Sequence, residues 1–495
     1  MQHRPTSSTR AIHTLAHAAL LALLAPALHA EPADNTSTPA PGMERVYFDV
    51  PLPDGSLSGG FIDLPFVEPA LFLQADAPPA PWTTILDNGP VSNRIDLVIV
   101  GDGYTEPQLP AYATHAQSAV NALFATQPFS TYKNYFNVHR VDVISPESGV
   151  DHDPTQGILR NTALDMGFWC NGTERLLCVN VSKAYSYANN ALDVQQVFAI
   201  ANSIKYGGAG YTSSELATFA GGNASSAEIA IHELAHSFGD LADEYDYGGP
   251  ANYTGPERPE RNVSKLDAAA MAIAGSKWAV WLNDPAGVFD GPVSCYQGAY
   301  YSTNGIYRPS PNSKMRTLGR PFNAPSVEGL IINVYRTVRP IDNLSPPLTN
   351  TLNENSIPSV IPMQPVGHSL SVQWLLNGNP IPGATSTSLD LSVLSLPAGL
   401  STLSVRLIDN TPWVRSQSAR DQWLTQTATW NLVNNSTPCP GDVNGDRVVN
   451  FFDLNILLGS FGQTVPVGTL GDLNNDARVD FLDLNILLSF FGVTC

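Results

Sequence analysis

One run constrains this chain more than any other: His232-Glu233-Leu234-Ala235-His236, continued by Ser237-Phe238-Gly239-Asp240-Leu241-Ala242-Asp243-Glu244-Tyr245. Residues four apart share one face of a helix, so both imidazoles can turn towards a single metal. Glu233, one step round, then faces the open side of that metal and can take a proton from a water activated there. The run is rare by chance in a chain with only ten histidines. The plainer reading is an exposed helix with a histidine pair, and the context disfavours it. Ser225 and Glu228 have capping-box spacing, Ile229 and Ile231 bring apolar bulk, and Gly239 offers a left-handed exit for the helix.

The third ligand is narrowed by elimination. Ala242 stands where a metzincin carries its third histidine, which removes that class. His368 is far downstream in what reads as another domain, while His115, His139 and His152 lie upstream. Carboxylates just after the Gly239 turn are simpler: Asp240, Asp243, Glu244 or Asp246. Asp240 sits too close to the helix to swing back, which favours Asp243 or Glu244. Glu257 and Glu260 suit a gluzincin-like arrangement and rank lower.

The segment resembles the signature of the bacterial zinc peptidase family named for IgA cleavage, H-E-x-x-H-S-F-G-x-L-A-D-E-Y. Other stretches fit the same family: Asn93-Arg94-Ile95-Asp96-Leu97-Val98, Gly101-Asp102-Gly103-Tyr104-Thr105, Tyr135-Phe136-Asn137-Val138, Glu147-Ser148-Gly149 and Tyr206-Gly207-Gly208-Ala209-Gly210. The similarity spans roughly residues 80 to 345. It implies Asp243 as third zinc ligand and Glu233 as general base. It also implies a peptidase whose substrate stays open, because a family name is not a specificity.

The N-terminus reads as an export signal. Arg4 and Arg10 precede the apolar run Leu20-Leu21-Ala22-Leu23-Leu24, and small residues follow around Ala25-Pro26-Ala27 and Ala30. That run is too short for a membrane span, and no later stretch reaches about 18 apolar residues, so no transmembrane anchor is expected. A net charge of -19 argues against nucleic acid and anionic membranes as partners. Five cysteines fit an oxidising compartment: Cys170 with Cys178, Cys439 with Cys495, and Cys295 left over. The expected location is secreted, extracellular or associated with the cell surface.

The expected fold is multidomain. A signal peptide (1–30) and a β-rich region (31–85) precede an α/β (α+β) zincin-like catalytic domain with a mixed sheet (86–348). Within it, strands are expected at Ile95 to Val100, Phe136 to Ile144 and Val194 to Ala201, with a helix around Ala111 to Phe124. Glu215 to Phe219 is the candidate edge strand for pairing with an extended substrate. Met315 is a candidate floor beneath the metal, and Tyr307 or Arg308 a candidate oxyanion or backbone contact. Alternating runs such as Leu370-Ser371-Val372-Gln373-Trp374 then read as an immunoglobulin-like β-sandwich (349–436) with Trp374 in its core.

Residues 437–495 contain an internal repeat. Gly441-Asp442-Val443-Asn444-Gly445-Asp446, ending in Asp453-Leu454-Asn455-Ile456-Leu457-Leu458, recurs as Gly471-Asp472-Leu473-Asn474-Asn475-Asp476, ending in Asp483-Leu484-Asn485-Ile486-Leu487-Leu488. Oxygen side chains fall at positions 1, 3, 5, 9 and 12 of an EF-hand-type calcium loop. The two sets are Asp442, Asn444, Asp446, Asn450, Asp453 and Asp472, Asn474, Asp476, Asp480, Asp483. Asp at position 12 and a helix only on the C-terminal side resemble dockerin modules, which implies a small α-helical calcium-binding unit and a cohesin-like or cell-surface partner.

Two functions follow, with Zn2+ as catalytic and Ca2+ as structural ion. The first is a secreted zinc endopeptidase acting on protein or peptide through a zinc-activated water and Glu233. The second is a non-catalytic extracellular adhesion or scaffold protein on a zincin-like fold. The intact Glu233 favours the enzyme, since a binding surface has no use for a base beside two ligands.

Overall fold

Ile95-Asp-Leu-Val-Ile-Val-Gly-Asp102 shows no polar-apolar alternation, the pattern of a strand covered on both faces. In the computed structural model this strand lies inside an eight-stranded sheet. The model describes residues 39–52, 57–68, 79–247, 251–285, 289–434 and 439–494. The expected signal peptide and Cys495 lie outside them. The strands are β1 (Met43–Pro51), β2 (Leu57–Pro65), β3 (Trp82–Leu86), β4 (Ile95–Asp102), β5 (Phe136–Val141), β6 (Gln196–Ala201), β7 (Gly208–Tyr211) and β8 (Leu216–Ala220). Their order is β2-β1-β7-β8-β6-β4-β5-β3. β5, β4, β6 and β8 run parallel, while β3, β7, β1 and β2 add antiparallel on the two sides. The sheet is mixed, as expected.

Helices cover both faces. α1 (Leu109–Leu123), α3 (Ser226–Ser237) and α5 (Ala324–Thr337) pack on one side with Tyr47, Leu97, Ile99 and Phe198. α2 (Val181–Ala188) covers the other with Val46, Val98, Val100 and Val197. Successive strand residues therefore feed opposite cores, each fully buried apolar side chain contributing about 1.5–3 kcal/mol. A short helix, α4 (Ala268–Ala274), and a hairpin of β9 (Tyr296–Ala299) and β10 (Ser302–Arg308) complete this part. The Cys170–Cys178 disulfide forms, and Cys295 is a free thiol.

Three local expectations change. Glu215 to Phe219 is not an edge: β8 is wholly buried between β6 and β7, because the chain leaves β7 by a tight return and pairs back on it. Ser225 makes no side-chain cap at the start of α3, and Glu228 instead pairs with Lys314. After α3 the left-handed residue is Asp240 (φ 50°), not Gly239. Glycine is needed at 239 for space: a Cβ there would meet the Ala235 carbonyl oxygen at 2.5 Å and Leu330 at 2.8 Å.

Downstream, β11 (Ile341–Ser345) pairs with β13 (Ser359–Pro362). β12 (Leu352–Asn353), β17 (Thr425–Asn434), β16 (Gly399–Ile408), β14 (Ser371–Leu376) and β15 (Asn379–Pro380) form a five-stranded sheet in that order. Both sheets share one apolar core in which Trp374 and Trp430 stack at 5.9 Å. β11 falls before residue 349, so this unit begins earlier than the sequence suggests. The link from β16 through the one-turn α6 (Gln417–Ala419) to β17 docks onto the first core through Val414 and Leu424. There the buried Asp409 accepts hydrogen bonds from Tyr132 and Tyr335, each at 2.8 Å. The last unit carries α7 (Phe451–Gly459) and α8 (Phe481–Ser489), which share a core of Val449, Leu457, Val465, Val479 and Leu487.

Candidate metal centre

The helix α3 lies directly on β7, and glycine makes that approach possible. A Cβ on Gly210 would stand 2.7 Å from His236 Cβ and 2.8 Å from the Glu233 carbonyl oxygen. One on Gly208 would meet Ile229 at 2.6 Å and Glu233 Oε1 at 3.1 Å. The Gly207-Gly208-Ala209-Gly210 run thus seats the helix that carries His232, Glu233 and His236.

The two imidazoles are fixed from behind. His232 Nδ1 lies 3.0 Å from the Lys314 carbonyl oxygen, and His236 Nδ1 lies 2.7 Å from that of Leu241. A carbonyl only accepts, so each Nδ1 carries the proton and each Nε2 is left with a lone pair. Those two Nε2 atoms face each other at 3.1 Å. Asp243 Oδ1 stands 3.1 Å from the first and 3.3 Å from the second. With both rings neutral these are three acceptors, which repel unless a proton or a metal cation sits among them. Zinc with ligand bonds of about 2.0–2.1 Å separates tetrahedral ligands by about 3.3 Å, so the donor set fits zinc in both type and spacing.

Asp243 is reached through the turn that Asp240 makes. Its Oδ2 accepts from the Tyr301 hydroxyl at 2.5 Å, and Tyr300 and Tyr301 both have left-handed backbones (φ 46° and 64°) in the β9–β10 turn. Such strain in non-glycine residues persists where the surroundings enforce it. Burial alone would raise the Asp243 carboxyl, but His236 and His232 beside it hold it well below the ordinary range. His232 is disfavoured as a cation by burial, yet Asp49 and Asp243 pull its pKa well above the usual value. The carboxylates thus favour a positive charge among the donors, as a proton or as a metal ion.

Glu233 is wholly buried, and neither carboxylate oxygen has a hydrogen-bond partner. Burial, reinforced by Asp49 and then Asp243, pushes its pKa well above the ordinary range. The Tyr206 hydroxyl is likewise buried without a partner. Burial first, then Asp49, Glu233 and Asp243, raise its pKa, so it stays a neutral donor.

Only one of the carboxylates considered after the helix joins the histidines, and it is Asp243. Glu244, also buried, accepts from Asn262, Ser313 and Asn323 and so anchors the loop. Asp246 binds Arg316, Asp240 accepts from Asn333, Glu257 accepts from the Lys265 amide, and Glu260 pairs with Arg258. His115, His139, His152 and His368 bond to Tyr104, Asp96, the Gly157 amide and Asp409. Arg308 clamps the Gln297 and Gly298 carbonyls, and Tyr307 pairs its backbone with Ser264. The tyrosines that reach the site include Tyr301, Tyr245, Tyr206 and Tyr47, which stacks on His236 at 4.3 Å. Met315 is buried in the core; its carbonyl accepts from the Glu244 amide, next to the Lys314 carbonyl that holds His232.

Sequence reasoning missed Asp49. Its Oδ2 lies 2.8 Å from His232 Nε2, and its Oδ1 accepts from the Tyr245 hydroxyl at 3.1 Å. It comes from β1, far from the helix in sequence, and only the sheet brings it here.

In the last unit, Asp442, Asp446 and Asp453 bring carboxylate oxygens within 4.8 Å of one another. Asn444 and Asn474 donate to Asp446 and Asp476 at 2.9 Å. Asn450 and Asp480 cap α7 and α8, while Asp453 and Asp483 each accept two successive loop amides. Asp472 accepts from the Asp476 and Ala477 amides. The two loops are near copies.

A mixed sheet thus carries a helix with two histidines, a glutamate between them and an aspartate after the turn. Residues 83–290 match the family model described as IgA Peptidase M64, which indicates a peptidase. No curated protein matches. Among solved structures, 12% of this chain is similar to 93% of a "Type II cohesin-dockerin domain from Bacteroides cellolosolvens", at 41% identity and with a TM-score of 0.11.

Proposed function

We propose that the chain is a secreted zinc-dependent endopeptidase with a zincin-like catalytic domain, in which His232, His236 and Asp243 hold the metal and Glu233 is the general base. One observation carries this reading: three lone-pair donors converge beside a buried carboxylate whose two oxygens are unpartnered. Zinc, when bound there, supplies Lewis acidity to the scissile carbonyl and to the attacking water. Glu233 takes the water's proton and returns it to the leaving amine, a task suited to a carboxyl whose pKa is raised. Tyr206, a neutral phenol with no other partner, donates to the oxygen that gains charge. Tyr301 keeps Asp243 turned towards the histidines.

The alternative, a scaffold that only binds, is disfavoured by the same carboxylate. An unpartnered buried Glu233 costs stability and serves no binding surface. The test is hydrolysis of an unfolded protein mixture. Cleavage should stop with a zinc chelator and return on adding zinc; cleavage indifferent to the chelator, or none from the metal-loaded protein, would reject the reading.

The C-terminal unit serves attachment. Its ten loop oxygen residues suit two calcium ions, and carboxylates this close repel without a cation. Phe451, Phe452 and Leu458 on α7 match Phe481, Leu482 and Leu488 on α8, and all six are exposed. Paired apolar patches of this kind suit a cohesin-like or cell-surface partner. The described residues contain no helix long and apolar enough to cross a membrane. Titration should show two calcium ions bound, lost on Asp442→Ala and Asp472→Ala together, with peptidase activity on a short peptide unchanged. No calcium uptake by the intact chain would count against the assignment.

A further inference from the structure

The zinc and base residues are shut off from solvent: His232, Glu233 and Asp243 are 0% exposed and His236 is 1% exposed. A peptide bond reaches Glu233 only if some covering element withdraws. The element against the site is β1. Strand alternation puts Arg45, Tyr47 and Asp49 on one face. Each of the three makes its own contact with the catalytic unit. Arg45 donates to the Tyr300 hydroxyl at 2.8 Å. Tyr47 stacks on His236 and donates to Glu260 at 3.1 Å. Asp49 is held by Tyr245, with its Oδ2 2.8 Å from His232 Nε2. Among the described residues, the cluster of mutually close ligand atoms is His232, His236 and Asp243 without Asp49. Asp49 therefore stands beside the cluster, against His232.

β1 pairs with β7 at only two register positions, Val46 with Tyr211 and Tyr47 with Gly210, against nine with β2. The β1–β2 hairpin is held by this short β7 edge, by Thr212 donating to the Arg45 carbonyl, by Ser213 and Ser214 donating to Glu44, and by Val46 and Tyr47 in the two cores. Both strands precede residues 83–290, the part that matches the peptidase family. β7 is also the strand on which α3 rests.

We propose that β1 occupies the seat of the peptide substrate, paired to β7 with the Asp49 carboxylate against His232, so that the folded chain is latent until the β1–β2 hairpin withdraws. The partner of the uncovered β7 edge is an extended peptide segment, which adds to a strand by main-chain hydrogen bonds. This rests on the peptidase reading. Competition between an intramolecular strand and a ligand lowers the ligand's apparent affinity by the fraction of molecules that are open.

The experiment compares the full-length protein with Asp49→Ala and the near-isosteric Asp49→Asn. Metal content is measured first, then binding of acetohydroxamate to the cobalt-substituted protein by its visible absorption. All three proteins should hold one metal in the histidine site. Wild type should bind acetohydroxamate weakly, and both variants about 10²-fold more tightly if the seat is open in about 1% of wild-type molecules. Hydrogen exchange at residues 43–51 should rise in the variants, and hydrolysis of an unfolded peptide should increase in parallel. Equal acetohydroxamate affinity in wild type and both variants overturns the proposal, because β1 is then a permanent wall. Failure of all three to take up metal overturns the peptidase reading, and this proposal with it. If Asp49→Ala does not fold, Asp49→Asn decides.

Discussion

Glu233→Gln is expected to lower peptide hydrolysis by about 10²–10⁴-fold, the usual contribution of a positioned acid–base group. Zinc content should stay unchanged, because His232, His236 and Asp243 form their cluster without Glu233. The metal-free variant should also be the more stable protein. Glu233 is wholly buried with both oxygens unpartnered, and its neighbours Asp49 and Asp243 are acidic. A buried polar group without partners costs about 1–3 kcal/mol, and a neutral side chain of the same size avoids the part due to charge. Thermal denaturation of the metal-free proteins would show this as a higher midpoint for Glu233→Gln. The two effects together separate a catalytic role from a structural one: a residue kept for folding loses stability when replaced. Undiminished hydrolysis, or a marked fall in stability with the metal retained, would reject Glu233 as the base.

Much of the centre was legible in the sequence because local geometry sets it. Helical spacing fixes His232 and His236 on one face, and the chain length of the turn limits which carboxylate can return. Spacing alone left Asp243 and Glu244 open. The structure shows why they diverge: their side chains point to opposite sides of the loop, one to the histidines and the other to Asn262, Ser313 and Asn323. Inner strands such as β4 were legible from unbroken apolar runs. Sheet order was not. β8 looked like an edge because its apolar run is short, yet the β7 return places it between two neighbours. The Ser225–Glu228 spacing misled for a related reason, since Lys314, distant in sequence, takes Glu228 away from the helix end. Asp49 and Tyr301 carry no local signal at all, and Tyr206 stands out only as the first residue of a family-like glycine stretch. A single aspartate in an alternating strand, or one tyrosine among seventeen, becomes a site residue only when long-range pairing brings it there.

The opposed side chains of Asp243 and Glu244 also predict opposite failures on substitution. Asp243→Ala should fold and lose zinc. Its partners are the two histidines, Tyr301 and Tyr245, and all four keep other anchors: His232 on Lys314, His236 on Leu241, Tyr301 in its buried turn and Tyr245 on Asp49. Residues that merely orient a ligand change metal affinity by about 10–100-fold, so loss of the ligand itself should exceed that range, and Tyr301→Phe should fall within it. Glu244→Ala should do the reverse. It strands the Asn262 and Asn323 amides and the Ser313 hydroxyl in a buried place, at a cost of about 3 kcal/mol or more, while the folded fraction keeps a complete donor set. Zinc affinity by competition with a chelator, set beside the unfolding midpoint, distinguishes the pair. Zinc fully retained in Asp243→Ala and lost in folded Glu244→Ala would mean that the metal is held from the other side of the loop, and the catalytic geometry would have to be rebuilt around Glu244.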